Sequence, residues 1–469
     1  MLKSISLENY KCFKEKTDIE IAPLTVLCGV NSSGKSSILK SLLMLKQSFE
    51  GNSNLNSLSL NGKYTNNGMY KDIANDKSKP IVIKNKFILE KSSYMTPQEK
   101  IALRDLNSIF KANGKLVYVE ISNTIEIKNQ NRRNLAYGDN IINKIIIEIF
   151  ARDYGKSTIE LNLIDDFKYD ILVSGFPCIT SEHVELTNTV CYFDGLKLVN
   201  LYYDKIIPPQ KTDNLLSNIF AVSRIISLQY KDINYLSPLR NAPERRYIIE
   251  QDVENVGIYG EFVPQILEKF KKKSAKINKI PENDLFSSKY MLINEKVFNA
   301  VNLWLDYFGI EKYTIQNEDE LLRLSIGDYS ILDVGFGISQ ALPIITSCVT
   351  LPYKSTLLLE QPEVHLHPRM QMSMADLLIA SSMAHKNVVV ETHSDHIINR
   401  ISRRMMQNEY IMNNTSINFV DKNNSKNSFL EKIPVDRIRG IITDNEKFFM
   451  EFSSETQKIL IAGFNNQKG

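Results

Sequence analysis

Eight residues, Gly29-Val30-Asn31-Ser32-Ser33-Gly34-Lys35-Ser36, fit the pattern G-x-x-x-x-G-K-[ST] in full. The flanks agree with it. Leu24–Cys28 reads as a short apolar strand, and Ile38, Leu42, Leu45 and Phe49 recur at helical spacing afterwards. A strand that turns through glycines into a helix points several backbone N–H groups, and the positive end of the helix, at one place. Such a unit needs a sheet under it, so the chain must be α/β. Gly29, Asn31, Ser32, Ser33 and Gly34 would line the phosphate cradle, with Ser37 just inside the helix. Lys35 would reach the β- and γ-phosphates of a nucleotide, and the Ser36 hydroxyl would hold Mg²⁺.

Three further segments have matching chemistry. Ser355–Glu363 reads STLLLEQPE: an apolar strand ending in an acid, Glu360, placed to hold Mg²⁺ through water. Glu360 lies 324 residues beyond Ser36, a separation that fits a head split by an insert. Asp333–Ile344, DVGFGISQALPI, sets Gly335, Gly337, Ser339 and Gln340 at the start of an apolar helix, where a phosphate can bind. A third apolar run, NVVVETHSDH, brings His393 to a strand end, where it could sense a γ-phosphate. Five of the six histidines fall between 365 and 396. A metal site there is the weaker reading, because no Cys joins them. His385 reads as a surface residue.

Composition excludes several classes. Lys and Arg number 57 against 54 Asp and Glu, a net charge of +3, which is neither a basic nucleic-acid coat nor an acidic tail. Five scattered cysteines form no CxxC pair, which argues against zinc or a disulfide framework and for a reducing compartment. No signal-peptide run opens the chain, and no apolar run approaches the ~18 residues that span a bilayer. The expectation is a cytoplasmic protein with no membrane partner. Residues 81–230 are mostly strand-like, 245–310 look helical, and 321–420 alternate strand and helix as a parallel or mixed sheet does. Heptads never persist beyond two or three turns, which argues against a long coiled coil.

Taken in order, these motifs resemble the ABC-type ATPase heads of the SMC, RecF and OLD group. The opening SISLENYKCF…IAPLTVLCGVNSSGKSS resembles that group's usual start. The resemblance implies an ABC-type P-loop NTPase head with a mixed β-sheet, split by a large insert that is β-rich and then helical. Residues 1–85 would be the first part of the head, 86–319 the insert, and 320–469 the second part with a strand-rich tail. It implies ATP and Mg²⁺ as cofactors, with Ser36 and Glu360 at the metal and His393 as the switch. It also implies a homodimer or higher homo-oligomer in which one subunit supplies Gly29–Ser37, Glu360 and His393, and the other supplies Gly335, Gly337 and Ser339.

A closer resemblance is to the stand-alone ATPase subunits of bacterial anti-phage systems such as Septu and PARIS. It is carried by YLSPLR (Tyr235–Arg240), GFGISQ, EQPEVHLHP and ETHSDHIINR. It implies a separate effector, either a nuclease of HNH or TOPRIM type or a toxin. One departure bears on catalysis. The group's usual Asp-Glu pair is Glu360-Gln361 here, and a neutral Gln cannot act as a general base. Either Glu363 takes that role, or hydrolysis is slow and ATP acts mainly as a clamp. The alternative reading is a RecF-like repair ATPase that binds DNA. Nucleic acid would then meet Lys269, Lys271, Lys272, Lys273, Lys276 and Lys279, a run that a solvated helix face explains equally well. Arg240, Arg245 and Arg246, and the stripe Arg400, Arg403 and Arg404, either anchor an ATP phosphate or a partner, or form ordinary salt bridges. Gln47 is a surface residue or part of a Q-loop.

Overall fold

A computed structural model describes residues 1–448 except 52–54, 131–138, 166, 180–182, 203–208, 279–280, 282–291, 319, 426, 444 and 446. Lys279 lies outside the described residues.

The strand after the N-terminus and the strands of the middle segment build one antiparallel sheet. Its members are β1 (Leu2–Glu8), β2 (Thr17–Glu20), β4 (Ile81–Glu90), β5 (Tyr118–Asn129), β6 (Asn140–Ala151), β7 (Gly155–Asp165), β8 (Lys168–Ser174), β9 (His183–Asp194) and β10 (Lys197–Tyr202). They run in the order β10-β9-β8-β7-β6-β5-β4-β1-β2. Period-2 patterning explains why. In β4, Ile81, Ile83, Asn85, Phe87 and Leu89 are buried while the residues between them are half-buried. The opposite face carries Lys and Glu on neighbouring strands, with pairs such as Lys86–Glu120 and Lys144–Glu160. Each pair is worth little alone, but together they keep this broad face wet. β4 carries the sheet across residues 85 and 86 without a break.

The second sheet holds β3 (Leu24–Gly29), β11 (Ile233–Leu236), β18 (Thr356–Glu360), β19 (Asn387–Glu391), β20 (Thr415–Lys422) and β21 (Ser428–Ile433), in the order β11-β18-β19-β3-β20-β21. The first five are parallel and β21 is antiparallel, so the sheet is mixed. Parallel strands covered on both faces read as unbroken apolar runs, as LTVLC, TLLL and NVVV do. Leu27, Leu358, Val389 and Val420 pack toward the antiparallel sheet. They meet α1 (Lys35–Glu50), α3 (Pro97–Ile109) and α4 (Pro209–Lys231) there, with the one-turn α2 (Tyr70–Ile73) nearby. Val26, Leu357, Leu359, Val388 and Val390 pack on the other side. That side holds α5 (Val263–Phe270), α6 (Val297–Tyr307), α7 (Phe336–Thr350), α8 (Pro368–Met383), α9 (Asp395–Gln407) and α10 (Glu409–Asn413). Small sheets complete the chain: β12 (Tyr247–Ile248), β15 (Tyr313–Glu318), β16 (Leu321–Ile326) and β17 (Tyr329–Ser330) in one, β13 (Ser274–Asn278) with β14 (Leu292–Lys296), and β22 (Val435–Asp436) with β23 (Gly440–Ile441).

Two expectations are corrected here. The helix expected to run on through the lysines stops at Phe270, and Ser274–Asn278 is a strand. Its Ala275 and Ile277 face inward while Ser274 and Lys276 are exposed, so period 2 wins over period 3.6 once the apolar stripe of α5 ends. Gln47 is not a surface residue. It is buried, donates to the carbonyls of Ser59 and Thr65, and accepts from the N–H groups of Tyr64 and Thr65, bracing the loop after α1. No described helix is long and apolar enough to cross a membrane.

Candidate functional site

β3 lies inside the parallel sheet with β19 on one side and β20 on the other, so its C-terminal end is held firmly where the loop leaves it. Two glycines are steric necessities. At Gly29, φ is +128° and a Cβ would sit 2.2 Å from the Val420 carbonyl oxygen. At Gly34, φ is +112° and a Cβ would sit 2.4 Å from Cys12 Sγ. Ser32 is also left-handed, with φ of 60°. The loop closes through Ser33 N–H to the Val30 carbonyl, and Ser428 Oγ donates to the Ser33 carbonyl. No side chain caps α1, whose N-terminus, with the positive end of the helix dipole, faces the loop. Lys35 is buried, its Nζ donating to the carbonyls of Gly29 (2.8 Å) and Val30 (2.7 Å). Asn31 and Ser32 are exposed at the lip, Ser33 is buried, and Ser36 and Ser37 are half-buried at the helix start.

Glu360 and Glu391 close β18 and β19 as register partners. Glu360 is buried and accepts from the Tyr235 hydroxyl at 2.9 Å. Glu391 is the acid that touches the loop: its Oε1 accepts from Ser36 Oγ at 2.8 Å. Sequence reading passed over Glu391, although VVVE repeats the signal of LLLE, an acid closing an apolar strand. Burial pushes the carboxyls of Glu360 and Glu363 up. Burial, with the negative Glu360 beside it, raises Glu391 to about 7. The two oxygens of Glu363 accept from His393 N–H (2.7 Å) and Thr392 Oγ1 (2.8 Å), so this side chain braces the segment after β19. His393 is half-buried, and burial together with the Lys35 charge lowers its pKa. Gln361 sits in the left-handed region at φ of 44°, its N–H donating to the Glu391 carbonyl at 2.8 Å. Arg240 is buried and donates from Nη2 to the Glu360 carbonyl, while its Nε and Nη1 have no partner. Arg245 and Arg246 are exposed.

The glycine-rich turn at 335 is built on the segment that follows Glu360. A Cβ at Gly337 would lie 2.6 Å from the His365 carbonyl oxygen, and the Phe336 ring meets the His365 ring edge to face at 4.9 Å. Gly335, which precedes α7, is different: it is exposed, and a Cβ there meets nothing within 4 Å. Ser339 and Gln340 are buried in the first turn of α7, with Ser339 Oγ donating to the Phe336 carbonyl. His367 caps α8, accepting from Arg369 N–H. His385 is half-buried against the Tyr94 ring, which corrects the surface reading.

Two arginines of the stripe take the salt-bridge alternative. Arg404 is fully buried and grips both oxygens of buried Asp376, and Arg400 donates to the same carboxylate. Only Arg403 of the three is exposed. The lysine run is largely exposed, but Lys269 Nζ donates to the Val253 carbonyl and Lys271 pairs with Glu268.

The site fits a magnesium nucleotide on its own evidence. It offers a cradle that any Cβ would fill, uncapped helix amides, a buried lysine, and a hydroxyl beside a buried carboxylate. Among the described residues no three His, Cys, Asp or Glu side chains are set to hold a metal by themselves. A cation here would need phosphate oxygens and water as further ligands, the usual habit of Mg²⁺.

The family model described as AAA ATPase domain matches residues 1–398. No curated protein matches the chain. Among solved structures, the SMC head domain from Thermotoga maritima is 12% identical, with 92% of this chain and 99% of that one covered and a TM-score of 0.36. The SmcHead bound to the C-winged helix domain of ScpA is 11% identical, covers 93% and 98%, and has a TM-score of 0.38. The Smc head with an extended coiled coil, bound to the C-terminal domain of ScpA from Pyrococcus furiosus, is 12% identical, covers 92% and 96%, and has a TM-score of 0.41.

Proposed function

Because this chain belongs to the AAA ATPase domain family, we propose that it is a slow ATPase in which bound ATP works mainly as a clamp between two heads. The chain is an ATPase of α/β fold, an ABC-type P-loop head with a mixed sheet. The observation that carries the proposed clamp is the state of the acids. Gln361 stands where a general base is expected, and both oxygens of Glu363 are taken by His393 and Thr392. Mg²⁺, when bound, would neutralise phosphate charge beside Ser36 and the carboxylates. Lys35 would leave the carbonyls of Gly29 and Val30 for the phosphates, and His393, near Lys35, would meet the γ-phosphate end. Gly335, Gly337 and Ser339 would come from the facing subunit, so ATP favours the dimer.

The biological reading is a subunit of an anti-phage defence complex that holds a separate effector, a nuclease or toxin, under nucleotide control. Its support is the motif set YLSPLR, GFGISQ, EQPEVHLHP and ETHSDHIINR. The test is purification of the tagged chain expressed with its native gene neighbours, followed by identification and weighing of what co-elutes. A stable high-mass assembly with a nuclease-like or toxin-like protein is expected. A lone dimer that binds DNA when ATP is added overturns this reading in favour of a repair ATPase.

A further inference from the structure

Magnesium in a phosphate-loop site needs a carboxylate next to the loop hydroxyl. The acid that closes β18, Glu360, was the natural candidate from sequence. The sheet order changes the choice. β19 lies between β18 and β3, so Glu360 is two strands from the loop strand, roughly 10 Å at the usual spacing, and Glu391 is one strand away, roughly 5 Å. Glu391 Oε1 already accepts from the Ser36 hydroxyl at 2.8 Å. Its Oε2 is buried and has no partner. A buried carboxylate oxygen left bare is costly unless something else engages it. Glu360, by contrast, already accepts from Tyr235. Glu391 is 3% exposed, so bulk water does little for it.

We propose that Glu391, with Ser36, forms the protein side of the divalent-cation site, its Oε2 engaging the cation or one of the cation's waters. The inference rests on reading the loop as a Mg²⁺·ATP site. In the nucleotide-free chain the Ser36–Glu391 hydrogen bond holds both groups in place. When the cation binds, Ser36 turns its lone pairs to it while Glu391 remains alongside. Glu360 then stands one strand further out, with Tyr235, as part of the wall rather than as the nearest acid.

The test is isothermal titration of the full chain with ATP, in EDTA and in Mg²⁺, comparing wild type with Glu391→Gln and Glu360→Gln. Electron paramagnetic resonance of Mn²⁺ with ATP gives a second readout, independent of turnover. Glutamine keeps the shape and still accepts from Ser36, so each variant's own affinity in EDTA is the reference from which its Mg²⁺-dependent gain is read. The Mg²⁺-dependent gain in affinity should fall by roughly 10- to 100-fold in Glu391→Gln. It should survive largely intact in Glu360→Gln, and the Mn²⁺ signal should change only in the former. A Glu391→Gln variant that keeps the full gain, or a gain lost in Glu360→Gln alone, overturns the assignment. Should Glu391→Gln fail to fold, Glu391→Asp, which keeps the charge but shortens the reach, decides on the same two readouts. Wild type that binds no ATP in either buffer refutes the nucleotide reading itself, a separate failure.

Discussion

At the scale of single residues, chemistry and backbone work together. Gln361 is held in the left-handed region by its bond to the Glu391 carbonyl, so its side chain is positioned whatever it carries. On the proposed clamp reading, a Glu at this position would supply a general base. Gln361→Glu should raise ATP turnover at least about tenfold, a modest share of what a placed base contributes, as read by phosphate release. Fast wild-type turnover with no rise in the variant would refute the clamp. Asp232, before β11, illustrates linkage. Burial, with Glu99 nearby, raises its carboxyl to about 6, although Thr96 Oγ1 donates to it at 2.7 Å. A folded pKa above the unfolded one near 3.9 favours the protonated form. Its contribution is therefore full below about pH 4 and is lost as pH rises through about 6. Asp232→Asn should gain about 1–2 kcal/mol at pH 7, after allowance for partial exposure, and nothing at pH 4, measured by urea unfolding at both values.

At the scale of elements, a buried ion-pair cluster anchors the helix that follows His393. α9 starts two residues after His393, and its Arg400 and Arg404 lock onto Asp376 of α8, which also accepts from the Tyr307 hydroxyl of α6. Three helices thus converge on one carboxylate with no exposed surface. Removing a partner from such a group leaves buried charge uncompensated. Asp376→Ala should cost about 3–5 kcal/mol in a denaturant melt, and a loss below 1 kcal/mol would show the clamp to be ornamental. In one dimension these arginines are a basic stripe open to two roles, because their spacing alone says nothing about an acid 24 or 28 residues earlier. The strands were easier to read. IVIKNKFIL and STIELNLI show their alternation openly, and β4 and β7 follow it.

At the scale of the whole molecule, the two glycines of the 335 turn part company. Gly337 is needed for packing on His365, whereas space around Gly335 is open and its φ is ordinary at −54°. A side chain at 335 should therefore be silent in one chain and felt only by a second. Gly335→Arg should leave monomer stability within about 0.5 kcal/mol while abolishing the ATP-dependent dimer, as seen by light scattering after gel filtration. A variant that still dimerises in ATP would remove this turn from the interface.

The strand–loop–helix unit around Gly29–Ser36 was legible in the sequence, because its residue types answer local demands: glycine for positive φ, apolar strand before and amphipathic helix after. The alternating strands, the split α/β plan and the strand-end acid Glu360 were legible for the same reason. What only the tertiary structure decided is adjacency. The sheet order puts β19 between β18 and β3, so Glu391 rather than Glu360 meets Ser36, Glu363 is spent on the segment after β19, and Arg400 and Arg404 are spent on Asp376. Local patterns report which face a residue presents. Which strand lies beside which is set by burying both faces of the sheet at once, a property of the whole chain.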